Sequence, residues 1–375
     1  MNITTTIKKA GVAFVYILLA SGLTYAQEII PLDTTNWQPF GRDSYIVENY
    51  KGKNAVYLQG TGIQLKNEEF LNGTIEFNLF LKPEQAFPGV FFRADDAGNN
   101  EQFYLRPHLS GKPDATQAAP QVKGITPWQL YFGPKYSFPY EFKYDDWTHV
   151  KLVVNGNRAQ VYMDHAEKPS FSWYLTHEPK AGGLFFTGGN ASGMHLADII
   201  VNKDEYRIVD FEPVERAPID GLIQEWEISD KFEVSLLNNP ASISSVVKDR
   251  TWGRTIEVEE GTAANISRVQ LLNDGKPGET VFAKIEIQSD SDQFKLFHFG
   301  YSDQVIAILN NEPIYSGTNR WRSRDYRYLG TVGLFDSIYL NLKRGNNTLL
   351  MAVSEGFGGW LITGKFEDEE GISIK

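Results

Sequence analysis

Cysteine is missing from all 375 residues. Its absence excludes disulfides, a thiolate nucleophile, a cysteine-based zinc site and a lipid carried on an N-terminal cysteine, so stability has to come from packed apolar cores. Histidine is scarce, with six scattered copies, and no His-Glu-x-x-His pair is present to hold a catalytic zinc. The Gly-x-Ser-x-Gly elbow of serine hydrolases and the phosphate-cradling Walker loop are absent as well. Basic charge is in short supply: 36 Lys and Arg stand against 47 Asp and Glu, a net charge of −11. Nothing in that balance offsets phosphate repulsion, so nucleic acid is not an expected partner. Beyond the first 26 residues no apolar run approaches the ~18 residues of a membrane span.

Those first 26 residues read MNITTTIKKAGVAFVYILLASGLTYA. Lys8 and Lys9 precede an apolar run over 11–20, and Thr24, Tyr25 and Ala26 supply a small-residue cleavage site, the order of a secretory signal peptide. Its removal leaves 34 basic against 47 acidic residues and a net charge of −13. The expected location is periplasmic or secreted. Asn-x-Ser/Thr sequons at Asn72, Asn190, Asn265 and Asn346 matter only in a host that glycosylates.

What is present is aromatic, β-branched and glycine-rich. Aromatics make up 13% of the chain, and 33 glycines help to break it into short runs, the texture of antiparallel β-structure. In GTIEFNLFL, Ile75, Phe77 and Leu79 alternate with Glu76 and Asn78, which predicts a strand with one apolar face. DWTHVKLVVNGNRAQVYMD predicts strands over 148–154 and 159–164 joined at Asn155-Gly156-Asn157, residues that tolerate positive φ. Helical periodicity is weak throughout, so only short helical turns are expected. The charged, proline-containing FEPVERAPI predicts a linker, and strand-like runs at roughly ten-residue spacing follow it. The expected organisation is a signal peptide (1–26), a first β-sandwich (27–208), a linker (209–220) and a second β-sandwich (221–375), with the final EDEEGISIK as a solvated tail.

In the first unit, LNGTIEFNLFL, GVFFRADD and DWTHVKLVVNGNRAQVYMD resemble laminin-G/concanavalin A-like jelly rolls, in which a Trp-x-x-Val strand precedes an Asn-Gly turn. GVFFRADD is also similar to a strand of 3-keto-disaccharide hydrolase-type domains, although FYLRPH replaces that family's Glu-x-Gln strand. The second unit resembles galactose-binding-like β-sandwiches through ILNNEPIYSG and through Leu342, Gly345, Asn347 and Leu349 of LNLKRGNNTLLMAVSE. These resemblances imply an all-β protein of two sandwiches, of the kind found in exported bacterial glycan-processing proteins. They imply a polysaccharide or oligosaccharide partner but fix no activity, because such folds carry many functions. The Glu-x-Asp-x-x-Glu strand of jelly-roll endoglycanases is absent. The laminin-G likeness also allows a structural calcium ion near Asp164 or Asp198; no catalytic metal or other cofactor is expected.

The candidate site centres on FYLRPH, read as a strand with Phe103 and Leu105 inward and Tyr104, Arg106 and His108 outward. One sheet is expected to present Glu76, Asn78, Arg93, Tyr104, Arg106, His108, Gln129 and Tyr131 together as a concave glycan-binding face. Aromatic rings suit the C–H faces of sugars, and Arg, Gln and His supply directional hydrogen bonds. Residues 110–128, long for a hairpin connection, would cover that face. The competing structural reading pairs Arg106 with Glu76 or an Asp and packs Tyr104 under a loop. An enzymatic alternative, a glycoside hydrolase or lyase-like protein, would use His108 or Tyr104 as base and Arg93 or Arg106 to stabilise charge. A third alternative is a structural or adhesion protein. In the second unit, Arg320, Arg322, Arg324 and Arg327 surround Trp321, Asp325 and Tyr326, a patch suited to docking onto the acidic first unit or to an anionic sugar. Trp360 is expected in the core.

Overall fold

A computed structural model describes residues 28–41, 45–189, 192–320 and 323–375. The expected signal peptide, together with Asn190, Trp321 and Arg322, lies outside them. The fold is all-β, with strands packed as sandwiches. Among the described residues the one α-helix spans only Ile243–Lys248, and none is long and apolar enough to cross a membrane.

The first set of strands forms two sheets of six and seven strands. Their inner faces enclose one core, to which Ile75, Phe77 and Leu79 contribute from Gly73–Phe80 and Phe103 and Leu105 from Asn100–Leu105. Period-two alternation drives this burial, because each strand has one face to hide. The hairpin forms as expected between Trp147–Asn155 and Arg158–Met163, with Gly156 at φ +58°.

Residues 203–224 carry no strand. Beyond them ten strands follow one hydrogen-bonded path, from Glu312–Thr318 at one edge to Asp336–Leu342 at the other. The short strand Arg254–Glu259 bonds to Glu225–Ile228 on one side and to Ala263–Asn265 on the other, so the path folds back on itself and sandwiches a second core containing Trp226, Phe297, Met351 and Trp360. The helix covers the opposite face, where Phe282, Ile308 and Leu350 meet Ile243 and Val246. Asn310 and Asn311 turn the Gln304–Leu309 to Glu312–Thr318 hairpin at φ +52° and +69°. Asn347 braces the neighbouring turn by accepting from Lys343 N at 2.9 Å and donating to Lys343 O at 2.7 Å.

Two sequence expectations need correction. The terminal EDEEGISIK is not a free tail: Ile372–Ile374 adds a strand to Thr280–Ser289, and Ile372 and Ile374 pack against the second core. Nor is 110–128 one long loop. Thr116–Gln121 is an edge strand paired with Asn100–Leu105, despite the low β-propensity of TQAAPQ. Pro120 is tolerated at an edge, and Ala119 joins an apolar cluster with Leu361 and Val332 of the second sandwich. Tertiary packing overrides propensity here.

Candidate functional site

A cleft of about 630 Å³ opens where the outer face of the six-stranded sheet meets the turns of the second sandwich. Its first-sandwich wall comes from alternate residues of adjacent strands. Phe91 stands opposite Gln102 and Gly89 opposite Tyr104, all on the face turned away from the core. Phe185 stacks between Phe91 and Phe40, with ring centroids 4.8 and 4.3 Å away, which extends an aromatic surface along the sheet. Trp128 and Gln129 complete this wall; Ser302, Asp303, Asn319, Thr331 and Phe357 form the opposite one. Trp128 and Phe357 meet across the junction with ring centroids 5.1 Å apart.

Glycines let the two sandwiches approach this closely. A Cβ at Gly358 (φ +117°) would lie 2.4 Å from Gln129 Nε2, and one at Gly359 would lie 2.8 Å from Pro127 Cα. The GFGGW run therefore receives Pro127-Trp128-Gln129. Trp360 itself is fully buried, as expected.

Hydrogen bonds fix the junction. Gln129 accepts from Gly359 N at 2.9 Å and donates to Ser302 Oγ at 3.3 Å. Tyr131 donates to Glu259 Oε2 at 3.1 Å, and Lys123 donates to Arg268 O at 2.7 Å. Asp114 Oδ2 accepts from Leu329 N at 2.8 Å. Arg216, in the expected linker, donates to the carbonyls of Leu130, at 2.9 Å, and Phe132 and lies over the Phe132 ring.

The sequence-derived candidates divide on these contacts. Tyr104, Arg106 and Gln129 line the cleft. Tyr131 is fully buried in the junction behind it. Arg93 does not face the cleft: it donates to Leu71 O at 2.9 Å, Asn72 Oδ1 at 3.2 Å and Gly156 O at 2.7 Å, bracing the Asn155-Gly156 hairpin. Glu76 and Asn78 belong to the other sheet, where they meet His149 at 3.0 Å and Asp198 at 3.0 Å. The eight residues therefore do not share one face.

FYLRPH also departs from simple alternation. The strand ends at Leu105, because Pro107 has no N–H to continue the ladder and instead opens the short 3-10 turn Pro107–Leu109. Arg106 is thereby buried rather than displayed. It forms an ion pair with Asp114, donates to Gln117 Oε1 and contacts Tyr104 Oη at 3.3 Å. The Asp partner of the structural reading is thus Asp114, which burial holds above the usual carboxylate range against the opposing pull of Arg106. Tyr104 donates to Gln117 Oε1 at 2.5 Å, and burial pushes its phenol up to about 12. His108 packs edge-on against Phe87, outside the cleft lining, and neither ring nitrogen has a hydrogen-bond partner. Burial, and then Arg106, lower its pKa. Tyr104 and His108 are therefore poorly placed as bases: one is tied down and hard to ionise, the other is turned away.

Elsewhere, Asp164 accepts from Tyr140 at 2.8 Å and pairs with Lys143 at 3.1 Å, while Asp198 is held by Lys53 and Asn78. No group of three or more His, Asp or Glu side chains is placed to hold a metal among the described residues. The arginine patch is partly internal, with Arg324 on Asp336 at 2.8 Å and Arg327 on Asp325 at 2.6 Å.

Sequence reasoning missed Phe40, Phe91, Asp303 and Phe357. Alternation from Gly89 could have placed Phe91 on the outer face, but nothing local to Asp303 or Phe357 signals a cleft that needs both sandwiches.

No family model and no curated protein matches this sequence. Solved structures similar to part of the chain include a carbohydrate-binding module from Bacillus subtilis, 13% identical over 44% of this chain and 95% of that one, with a TM-score of 0.35. A Bacillus licheniformis β-glucanase is 9% identical over 48% and 97%, with a TM-score of 0.34. Domain 4 of an extracellular arabinanase from Geobacillus stearothermophilus, solved with arabinotriose, is 14% identical over 44% and 84%, with a TM-score of 0.29. Similarity this low assigns no ligand and no activity to this chain.

Proposed function

We propose that this is an exported saccharide-binding protein that holds its ligand in the cleft between the two sandwiches. The observation that carries the reading is the composition of that cleft: about 630 Å³, walled by Phe40, Phe91, Trp128 and Phe357, with Gln85, Asn319 and Thr331 among its polar groups. Pockets of this size take small organic ligands. A sugar ring offers apolar C–H faces to aromatic side chains and hydroxyls to amides and hydroxyls, and here both kinds of partner line one space. Thr331 Oγ1 is buried on the wall without a hydrogen-bond partner, a group that a ligand hydroxyl would satisfy. The ligand face is thus the outer face of the six-stranded sheet, completed by the second sandwich rather than by a loop of the first.

Affinity electrophoresis of the chain lacking residues 1–26 against β-glucan, xylan, arabinan and polygalacturonate tests the proposal. Retardation by at least one polymer is expected, weakened at least tenfold in Trp128→Ala with an unchanged circular dichroism spectrum. Failure to bind any of the four, or full binding by both Trp128→Ala and Phe357→Ala, would refute the cleft as the saccharide site.

A further inference from the structure

Beyond the cleft, the same outer sheet face carries a second concavity, of about 1140 Å³, that the saccharide reading does not use. Phe40 lines both spaces. Among the described residues the second one is walled by the first sandwich and Lys203 alone, so its shape does not depend on the second sandwich.

Strand register joins the two. Gln38 stands opposite Gln64, Gln64 opposite Phe185, Phe185 opposite Phe91 and Phe91 opposite Gln102, one row across five neighbouring strands of the six-stranded sheet. Residues directly opposite on paired strands share a face, so the row is a continuous strip of outer surface. Gln102 and Phe91 belong to the cleft, whereas Phe185, Gln64 and Gln38 belong to the second concavity. At about 4.8 Å per strand spacing, the strip is roughly 19 Å long.

Its chemistry repeats that of the cleft. Phe185 lies between Phe91 and Phe40, and Phe40 remains 41% exposed. Gln38 donates to Gln64 Oε1 at 3.2 Å, which leaves Gln38 Oε1 as an acceptor and Gln64 Nε2 as a donor without a partner among the described residues. Charged neighbours are engaged elsewhere: Lys66 donates to Thr34 O at 2.6 Å, Lys203 pairs with Glu68, and Asp95 accepts from Ala97 N and Asn99 N at 2.9 Å. An aromatic surface followed by a free donor and a free acceptor suits a second sugar unit, because each unit of a saccharide chain again offers a C–H face and hydroxyls.

We propose that the second concavity is a further saccharide subsite and that the ligand is a chain of sugar units laid across the strands. The chain would run from the cleft past the stacked Phe91, Phe185 and Phe40 to Gln64 and Gln38, leaving at the edge strand Trp37–Gly41. This deepens the saccharide reading and rests on it. It names the ligand as a linear oligosaccharide or a polysaccharide segment, where the cleft alone would be filled by a shorter sugar.

Isothermal titration calorimetry of the chain lacking residues 1–26 tests it, with a disaccharide and a hexasaccharide cut from the polymer that binds best in electrophoresis. The hexasaccharide should bind at least tenfold more tightly than the disaccharide. In Gln38→Ala/Gln64→Ala, at two positions outside the cleft lining and the core, that advantage should disappear while disaccharide binding and the circular dichroism spectrum stay unchanged. Equal affinity for both sugars in the unaltered protein, or the full advantage retained by the double variant, would overturn the second subsite, and the cleft reading stands if Trp128→Ala still weakens both sugars. If the double variant loses both sugars alike and Trp128→Ala loses neither, the sugar sits in the concavity alone, and the cleft reading and the continuous chain both fall. If none of the four polymers binds, both proposals fall.

Discussion

The two sheets of the first sandwich share one core but treat their polar residues in opposite ways. On the seven-stranded sheet, Glu76 pairs with His149 across adjacent strands, Lys151 with Glu205 of the segment that follows the sheet, and Glu48 with His195 two strands away, all partly exposed. That face pairs its charged groups largely within the first sandwich, although His149 Nδ1 is buried without a partner. On the six-stranded sheet, the polar residues nearest the second sandwich are buried, and several take their partners from it, as Asp114 does from Leu329 and Gln129 from Gly359. The cleft remains where this covering stops short. A face whose charges pair within it offers a ligand little, whereas a face partly covered from outside leaves aromatic rings open to one.

The largest expected effect comes from breaking the buried Arg106–Asp114 pair. Asp114→Ala should cost about 3–5 kcal/mol in urea unfolding, because Arg106 would remain charged and unpaired out of water. The matching Glu205→Ala beside the seven-stranded sheet, which breaks an exposed pair with Lys151, should cost less than about 1 kcal/mol. Equal losses would erase the distinction between the faces.

Next, Gly358→Ala tests the junction itself. With φ at +117° and Gln129 in the way, it should cost about 1–3 kcal/mol and speed proteolysis between the two sandwiches. Unchanged cleavage would mean that the close approach is dispensable.

Acidity separates the sheets in a further way. Glu101, fully buried in the six-stranded sheet, is pushed up to about 7 by desolvation, although Thr176 N and His177 N donate to it. Its folded value exceeds its unfolded one, so its contribution is complete below about pH 4.5 and is lost as pH rises through 7. Glu101→Gln should flatten the decline in urea midpoint between pH 5 and pH 8. Glu76, in contrast, is held below its ordinary value chiefly by the His149 hydrogen bond. Its contribution is present at neutral pH and disappears as pH falls through the folded value. Glu76→Gln should therefore give the smallest effect of the series, visible at neutral pH and vanishing in acid. Wild-type-minus-variant midpoint differences that change with pH in the same direction for both substitutions would contradict the assignment.

Much of this was legible beforehand, for a physical reason. Strands at Gly73–Phe80, Trp147–Asn155 and Arg158–Met163 follow from alternation and from an Asn-Gly turn, which are local properties of the chain. The outward direction of Tyr104 was equally readable. Arg106 and His108 were misplaced because Pro107 ends the alternation, a signal visible in the sequence but read past. Arg93 was misassigned because its partners, Leu71, Asn72 and Gly156, lie 21 to 63 residues away. Ile372 and Ile374 alternate as a strand should, yet the acidic run before them suggested solvent.

By itself, then, the sequence determined that this is an all-β chain without disulfides, and which residues of many strands turn inward, because backbone pleat and hydrophobic periodicity act over a few residues. It also limited the chemistry by what it lacks. Only the tertiary structure decided which polar residues face a ligand and which are consumed in holding the two sandwiches together. Arg106 and Asp114, and Gln129 and Gly359, are brought together by long-range packing, and a side chain's charge state, burial and free hydrogen-bonding capacity depend on the partner that arrives.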